Sequence, residues 1–272
     1  MSNMNDVKQY VLDLSSLKNL SSTFEQVASI RMNQIRSQVV IRKEFFSDVW
    51  GIYSNLKLLD RNYETIKSDR FAIIIVCASF GLIGNMNNQI IDLAKKDITD
   101  KSDIFIIGEK GRAILDLQKI HYIKSFSFED DITDDFVSTV LSDIKEYGDI
   151  RVFFEEFESI SVQNPKKIYL NFASYNEKFQ KVSYRDYLFE PSYKEILRYL
   201  ESIMVSMMFT QILYESHLSQ YASRMVIMNK AAQKASDKLN NAMIDYSRLK
   251  RQLSDNAMKL IFTNFLKNGA KV

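Results

Sequence analysis

The sequence predicts an α/β protein in which a long antiparallel coiled coil of N- and C-terminal helices accompanies a small Rossmann-like α/β domain. Three observations predict it. Helix-breaking residues cluster in the middle of the chain, apolar residues step by four and three at both ends, and apolar runs alternate with helical segments in between. The expected segments are 1–66 for the first coil helix, 67–185 for the α/β domain and 186–272 for the second coil helix.

Residues 1 to 50 contain neither Gly nor Pro, and after Pro191 neither returns until Gly269. Proline breaks a helix and glycine weakens it, so two long uninterrupted helices are expected at the two ends. In the first, steps of four and three from Tyr10 reach Leu14, Leu17, Ser21, Phe24, Ala28, Arg31, Ile35, Gln38, Arg42, Phe45, Val49, Ile52, Leu56 and Leu59. Such stepping is the seam of a coiled coil, with Ser21, Arg31, Gln38 and Arg42 as interruptions. The last segment repeats it through Ile196, Leu200, Ile203, Met207, Tyr214, Tyr221, Met228, Ala231, Ala235, Ala242 and Leu249. The two helices are expected to pair antiparallel, with Ala28 close to Ala242.

The centre has a different rhythm. Phe71–Val76, Ile104–Ile107 and Ile150–Phe154 are short apolar runs that suit buried strands. Met86–Lys96, Lys110–Leu117 and Ile132–Tyr147 carry helical patterns between them. Strands alternating with helices point to a largely parallel sheet. Ser159–Val162 and Lys167–Phe172, on either side of Pro165, are expected as a hairpin or as edge strands.

Composition excludes several functions. With 36 basic and 34 acidic residues the formal charge is +2, too balanced for a dedicated nucleic-acid binder. Cys77 is the single cysteine; it follows an apolar strand and is expected as a buried thiol rather than a nucleophile. The first residues lack the features of a secretory signal, and no run approaches the ~18 uninterrupted apolar residues of a membrane span, so an intracellular, soluble chain is expected.

The candidate chemical motifs favour structural readings. Gly81-Leu82-Ile83-Gly84 joins a strand to a helix where phosphate would bind a doubly wound sheet, yet it matches neither G-x-G-x-x-G nor a Walker A loop. Gly108-Glu109-Lys110-Gly111 is expected as a tight turn. The acidic group Glu129, Asp130, Asp131, Asp134 and Asp135 suits the start of a helix. His121 and His217 lie far apart, with no spacing that suits a triad or zinc site. The methionines of the last helix suit adaptable packing. No catalytic, cofactor-binding or metal-ligating residue is expected.

Asp186-Tyr187-Leu188-Phe189-Glu190-Pro191 resembles the motif D-Y-x-Y/F-E-P, and Ser219-Gln220-Tyr221-Ala222-Ser223-Arg224-Met225-Val226-Ile227-Met228 resembles S-E-x-x-A-R-M-x-A-M. Gly81-Leu82-Ile83-Gly84-Asn85-Met86-Asn87 is similar to G-L-C-G-x-L-N, and Ile106-Ile107-Gly108-Glu109-Lys110-Gly111 to I-G-x-K-G. Glu25, Val27, Ala28 and Met32 fall on M-E-M-V-A-x-x-K-M. Together these motifs resemble the gamma subunit of F-type ATP synthases along nearly the whole chain. Departures occur at Ser79-Phe80, where the family has D-R, at Leu20 to Phe24, where it has I-T-K-A-M, and after Arg251-Gln252.

The resemblance implies a non-catalytic central-stalk shaft that couples rotation to ATP synthesis or hydrolysis in a surrounding ring of alpha- and beta-like subunits. It further implies epsilon-like and membrane-ring rotor partners, and a cytoplasmic place peripheral to the inner face of the cell membrane. Phe24, Lys250, Arg251, Gln252 and Leu260 are the implied ring contacts. Phe80, Gly81, Leu82, Gly84 and Asn87 are the implied rotor contacts. The departures leave open a gamma-like shaft of a dedicated ATPase motor driving transport or motility, and a coiled-coil adaptor is the alternative of another class.

Overall fold

The structure is a computed structural model, and it describes residues 4–57, 69–127, 131–170 and 193–269. The motif Asp186 to Pro191 and the expected borders at 66/67 and 185/186 lie outside the described residues. Two compact units form, Ala28–Arg224 and a second made of Met1–Val27 with Met225–Val272.

Ala28–Arg224 is built on a five-stranded sheet. Its strands are β1 (Phe71–Val76), β2 (Ser102–Ile107), β3 (Lys124–Phe126), β4 (Ile150–Phe157) and β5 (Gln163–Tyr169), in the order β3-β2-β1-β4-β5. β1 runs parallel to β2 and β4, β2 is parallel to β3, and β5 is antiparallel to β4. Ala72 to Val76 are completely buried, as expected of a central parallel strand covered on both faces. The connecting helices are α2 (Met86–Lys95), α3 (Glu109–Leu117) and α4 (Asp134–Ile144).

Alternation along the strands feeds two cores. Ile73, Ile75, Ile104, Ile106 and Phe153 pack with Met86, Ile90 and Ile91 of α2 and Leu115 of α3. Ile74, Val76, Phe105, Ile107, Val152 and Phe154 point the other way. They meet Val137 and Val140 of α4, Phe46, Trp50 and Tyr53 of α1 (Met4–Lys57), and Met204, Met208, Phe209, Ile212 and Leu213 of α5 (Tyr193–Gly269). Within Glu195–Asn264 a stretch is apolar enough by composition to cross a membrane. Met204 to Leu213, however, supply their apolar side chains to this sheet core.

Glycine lets α3 lie tightly against β1. Gly108 has φ +99°, and a Cβ there would collide with the Cys77 carbonyl; one on Gly111 would collide with the Cys77 side chain. Cys77 is buried, as expected, and burial pushes its thiol far up from its ordinary value. Polar networks pin the margins. Asp103 accepts from Arg70 and from Tyr147 (2.8 Å); the Arg70 bonds hold its carboxyl below the usual range, while burial first and Asp103 second push the Tyr147 phenol up to about 12. Asp97 accepts from Arg151 (3.0 Å) and Lys167 (2.9 Å); burial opposes its ionisation, but these two cations pull it below its ordinary value.

Three expectations about the centre need correction. Ser159–Val162 is the turn between β4 and β5 rather than a strand, closed by the Val162 N–H to the Ser159 carbonyl and hydroxyl. Pro165 lies within β5, not between two strands, opposite Glu155. The Leu170 N–H donates to the Ile150 carbonyl, so even-numbered β4 residues make the ladder bonds. Pro165 therefore sits at a non-bonded pair, where its missing N–H costs nothing. Finally, β3 is present although no strand is expected there. It is three residues of mixed polarity, Lys-Ser-Phe, extending the sheet beside β2.

The second unit pairs the start of α1 with the end of α5. Leu14 packs with Leu239 and Ala242, flanked by Val11, and the Asn229 side chain donates to Glu25 at 2.7 Å. Moving forward on α1 moves backward on α5, so the helices are antiparallel. The numbers of facing residues add to about 254, as for 25 with 229. Ala242 thus packs against Leu14, while the expected neighbour Ala28 belongs to the other unit.

The seam is also narrower than expected. On α1, Leu14 and Ser21 are buried while Tyr10 and Leu17 are half exposed; on α5, Met228, Ala235, Leu239 and Ala242 are buried. Small residues on one side allow close approach, but close approach leaves little room for a second apolar row. In the sheet-bearing unit the buried stripe of α1 keeps the expected Ala28 and Ile35 but takes Met32, Phe46 and Trp50 one residue after the expected Arg31, Phe45 and Val49, and continues to Tyr53. An α-helix drifts ~20° per heptad against a strict 3.5-residue repeat, and a broad sheet core does not enforce that repeat.

Candidate rotor and ring-contact surfaces

Two surfaces hold the sequence-derived candidates. The first is the loop between β1 and α2 together with the first turn of α2, from Ala78 to Asn87. Leu82 takes φ +66° and Gly84 φ +68°, left-handed conformations that cost a leucine ~1–2 kcal/mol and a glycine little. Surrounding bonds over-determine this shape. The Ala78 N–H donates to Asn87 Oδ1 at 3.0 Å, and Ser223 Oγ of α5 donates to the Ile83 carbonyl at 3.1 Å. Phe80 lies 4.9 Å from the Tyr221 ring, with the Arg224 guanidinium 4.3 Å above its face.

The candidates in this loop therefore divide. Asn87 is buried and Phe80 is half-buried beneath α5, so their side chains hold the loop. Leu82 and Gly84 are exposed and Gly81 is partly so, leaving an apolar side chain and open backbone facing outward. Residue spacing alone does not reveal the partners on α5. Ser219, Ser223 and Arg224 anchor the loop and strand end and are visible in sequence only as part of the Ser219-to-Met228 motif. Ser219 Oγ donates to the Glu155 carbonyl at 3.0 Å, so one face of α5 grips both the loop after β1 and the end of β4.

The second surface is the end of α5. Continuing the coil register places Met4, the first described residue of α1, opposite about residue 250. Lys250, Arg251 and Gln252 are exposed, and so is every described side chain from there to Asn264. Met258, Leu260, Ile261 and Phe262 are apolar and each at least 65 % exposed. Helix propensity alone seldom maintains so long a stretch without a packed face, and these apolar side chains stand exposed around the helix. Phe24, the remaining ring candidate, is half-buried on α1, ten residues beyond Leu14 and apart from this tip. Glu129 and Asp130 of the acidic group lie outside the described residues, and Thr133 caps α4 by accepting from the Phe136 N–H. Among the described residues no cluster of His, Cys, Asp and Glu has metal-binding geometry.

A family model described as ATP synthase matches residues 3–254. The ATP synthase gamma chain of Clostridium botulinum is 23% identical, the match covering 91% of this chain and 92% of that one. That of Mesoplasma florum is 24% identical, covering 93% and 94%. Among solved structures, a chain of the Euglena gracilis mitochondrial ATP synthase described as OSCP/F1/c-ring aligns with a TM-score of 0.68 at 13% identity, covering 99% of this chain and 97% of that one. A chain from the central stalk and c-ring of the Tetrahymena thermophila enzyme aligns with a TM-score of 0.60 at 17% identity, over 78% and 99%. Matched along nearly its full length by the family model and by gamma chains, this chain belongs to the gamma-chain family of ATP synthase.

Proposed function

We propose that this chain is the rotating shaft of an F-type ATPase complex. It links the nucleotide state of a surrounding ring of alpha- and beta-like subunits to rotation of a membrane ring, and performs no bond chemistry itself. The observation that carries this reading is the free end of α5, where apolar side chains stand exposed beyond the paired coil. A helix end of this kind suits a bearing inside a ring, with Leu260 as an apolar contact and Lys250, Arg251 and Gln252 as polar ones. Phe24 joins them from α1. A shaft transmits force when its faces bind different ring conformations unequally, so differential contact energy is what the ring reads.

On the same reading Gly81, Leu82 and Gly84 meet an epsilon-like or membrane-ring subunit, while Phe80 and Asn87 support them from behind. The complex then sits at the inner face of the cell membrane, and the chain reaches the membrane only through its partners. Co-purification tests the proposal: affinity-tagged chain should bring down ring subunits with ATPase activity. Recovery of the chain alone, from cells that contain such a ring, would overturn it.

A further inference from the structure

The parallel sheet changes direction between β1 and β4, since the chain proceeds from β1 to β2 and β3 on one side and to β4 and β5 on the other. In open α/β sheets the crevice outside the carboxyl ends of two such strands is where ligands bind. Here a helix occupies it. Ser216, Ser219 and Gln220 recur at helical spacing on one face of α5, all buried, and Ser219 is bonded to the backbone of Glu155 at the end of β4.

The polar atoms at this junction do not balance. Glu155 is completely buried, and among the described residues neither carboxyl oxygen has a hydrogen-bond partner. Gln220 spends its amide N–H on Ser216 Oγ at 3.1 Å, leaving Oε1 buried and unpaired. Ser79 Oγ, just past the end of β1, is also buried without a partner. An ionised carboxylate is costly to bury without a partner; a protonated one can donate to the unpaired Gln220 Oε1.

We propose that Glu155 is protonated in the folded chain and donates a hydrogen bond to Gln220 Oε1, forming a proton-dependent latch between the sheet and α5. Among the described residues no salt bridge to Glu155 is formed, and burial is the cause of its shift. Cys77, just after β1, is a titratable neighbour and is itself held neutral by burial. The register partner on β5 is Pro165. α2 and α3 turn Met86, Asn87, Ile90, Ile91, Ala94, Gly111 and Leu115 inward, none titratable. On the same stretch of α5 the charged or titratable side chains include His217 and Tyr221, which pack edge-on to each other, and Arg224, which lies over Phe80. Burial correspondingly pushes the Glu155 carboxyl up to about 8. Its folded value lies above its unfolded one, so the stabilisation is present in acid and is lost as pH rises towards about 8.

The test is thermal melting of the full chain between pH 5 and pH 9, comparing wild type with Glu155→Gln and Gln220→Leu. An amide at 155 donates the same bond without titrating, so the melting temperature of Glu155→Gln should gain on wild type as pH rises to about 8 and then run parallel. Gln220→Leu removes the acceptor and should cost most at pH 5–6 and little at pH 9. A wild-type infrared band of a protonated buried carboxyl at pH 6, absent at pH 9, reads the same proton without any variant. Melting differences independent of pH in both variants, or no such band at pH 6, would overturn the latch.

Discussion

Replacing Asn87 by Ala should destabilise the sheet-bearing unit without touching the outward face of the loop. Asn87 Oδ1 is the acceptor for the Ala78 N–H, and both residues are buried. Removing it leaves a buried backbone donor unpaired, at a cost of about 1–3 kcal/mol. In a unit of this size 1 kcal/mol lowers the melting temperature by ~2–4 °C, so a drop on the order of 5 °C is expected. Leu82, five residues earlier in the loop, provides the contrast. Leu82→Asn places a residue tolerant of φ +66° where a leucine is strained, so melting should stay level or rise. If Leu82 meets the rest of the rotor, only this second variant should weaken assembly of the complex at unchanged stability. Differential scanning calorimetry of both chains, with recovery of the assembled complex, separates the effects. An unchanged melting temperature in Asn87→Ala would refute the assignment of Asn87 as an internal support.

Other substitutions probe the remaining framework. Gly108→Ala should be more damaging than Gly81→Ala, because φ is +99° at Gly108 and a new Cβ meets the Cys77 carbonyl, whereas Gly81 meets only the end of the Lys110 side chain at 4.0 Å; chemical denaturation ranks them. Asp97 is held below its ordinary value, so its ion pairs stabilise above that value and are lost as pH falls through it; Asp97→Asn should flatten the acid side of the stability curve. Leu14→Ala should cost on the order of 2 kcal/mol and loosen the coil while leaving the sheet intact, as read by amide hydrogen exchange in each unit. Spin labels at Asp13 and Asn241, whose numbers fit the coil register, should lie about one interhelix spacing apart, and labels at Asp13 and Lys230 clearly further.

The two long helices were readable because the absence of Gly and Pro over such lengths leaves the chain few alternatives. β1, β2 and β4 were readable because strands buried on both faces are continuously apolar. β3 was not, since Lys124-Ser125-Phe126 has no pattern of its own and is a strand only because β2 offers it an edge. The seam of α1 was right in period but drifted by one residue at the sheet, where Trp50 and Tyr53 answer to a flat core rather than to a partner helix. In the loop after β1, Gly84 announces a left-handed turn, but the same conformation at Leu82 comes from bonds to Ser223 and Asn87 that sequence spacing does not encode. Glu155 reads as an ordinary charge within β4, and only the arrival of α5 makes it a buried one.

Rotation itself tests the central claim most directly. Leu117 is 83% exposed on the sheet-bearing unit, whereas the native Cys77 is fully buried, so Leu117→Cys gives a single accessible thiol for attaching a bead or gold particle. With the catalytic ring fixed to a surface and ATP supplied, the particle should turn in one direction, and shortening α5 after Ser254 should reduce the torque while the sheet-bearing unit remains folded. A particle that stays still while the ring hydrolyses ATP at its full rate would contradict the assignment of this chain as the shaft.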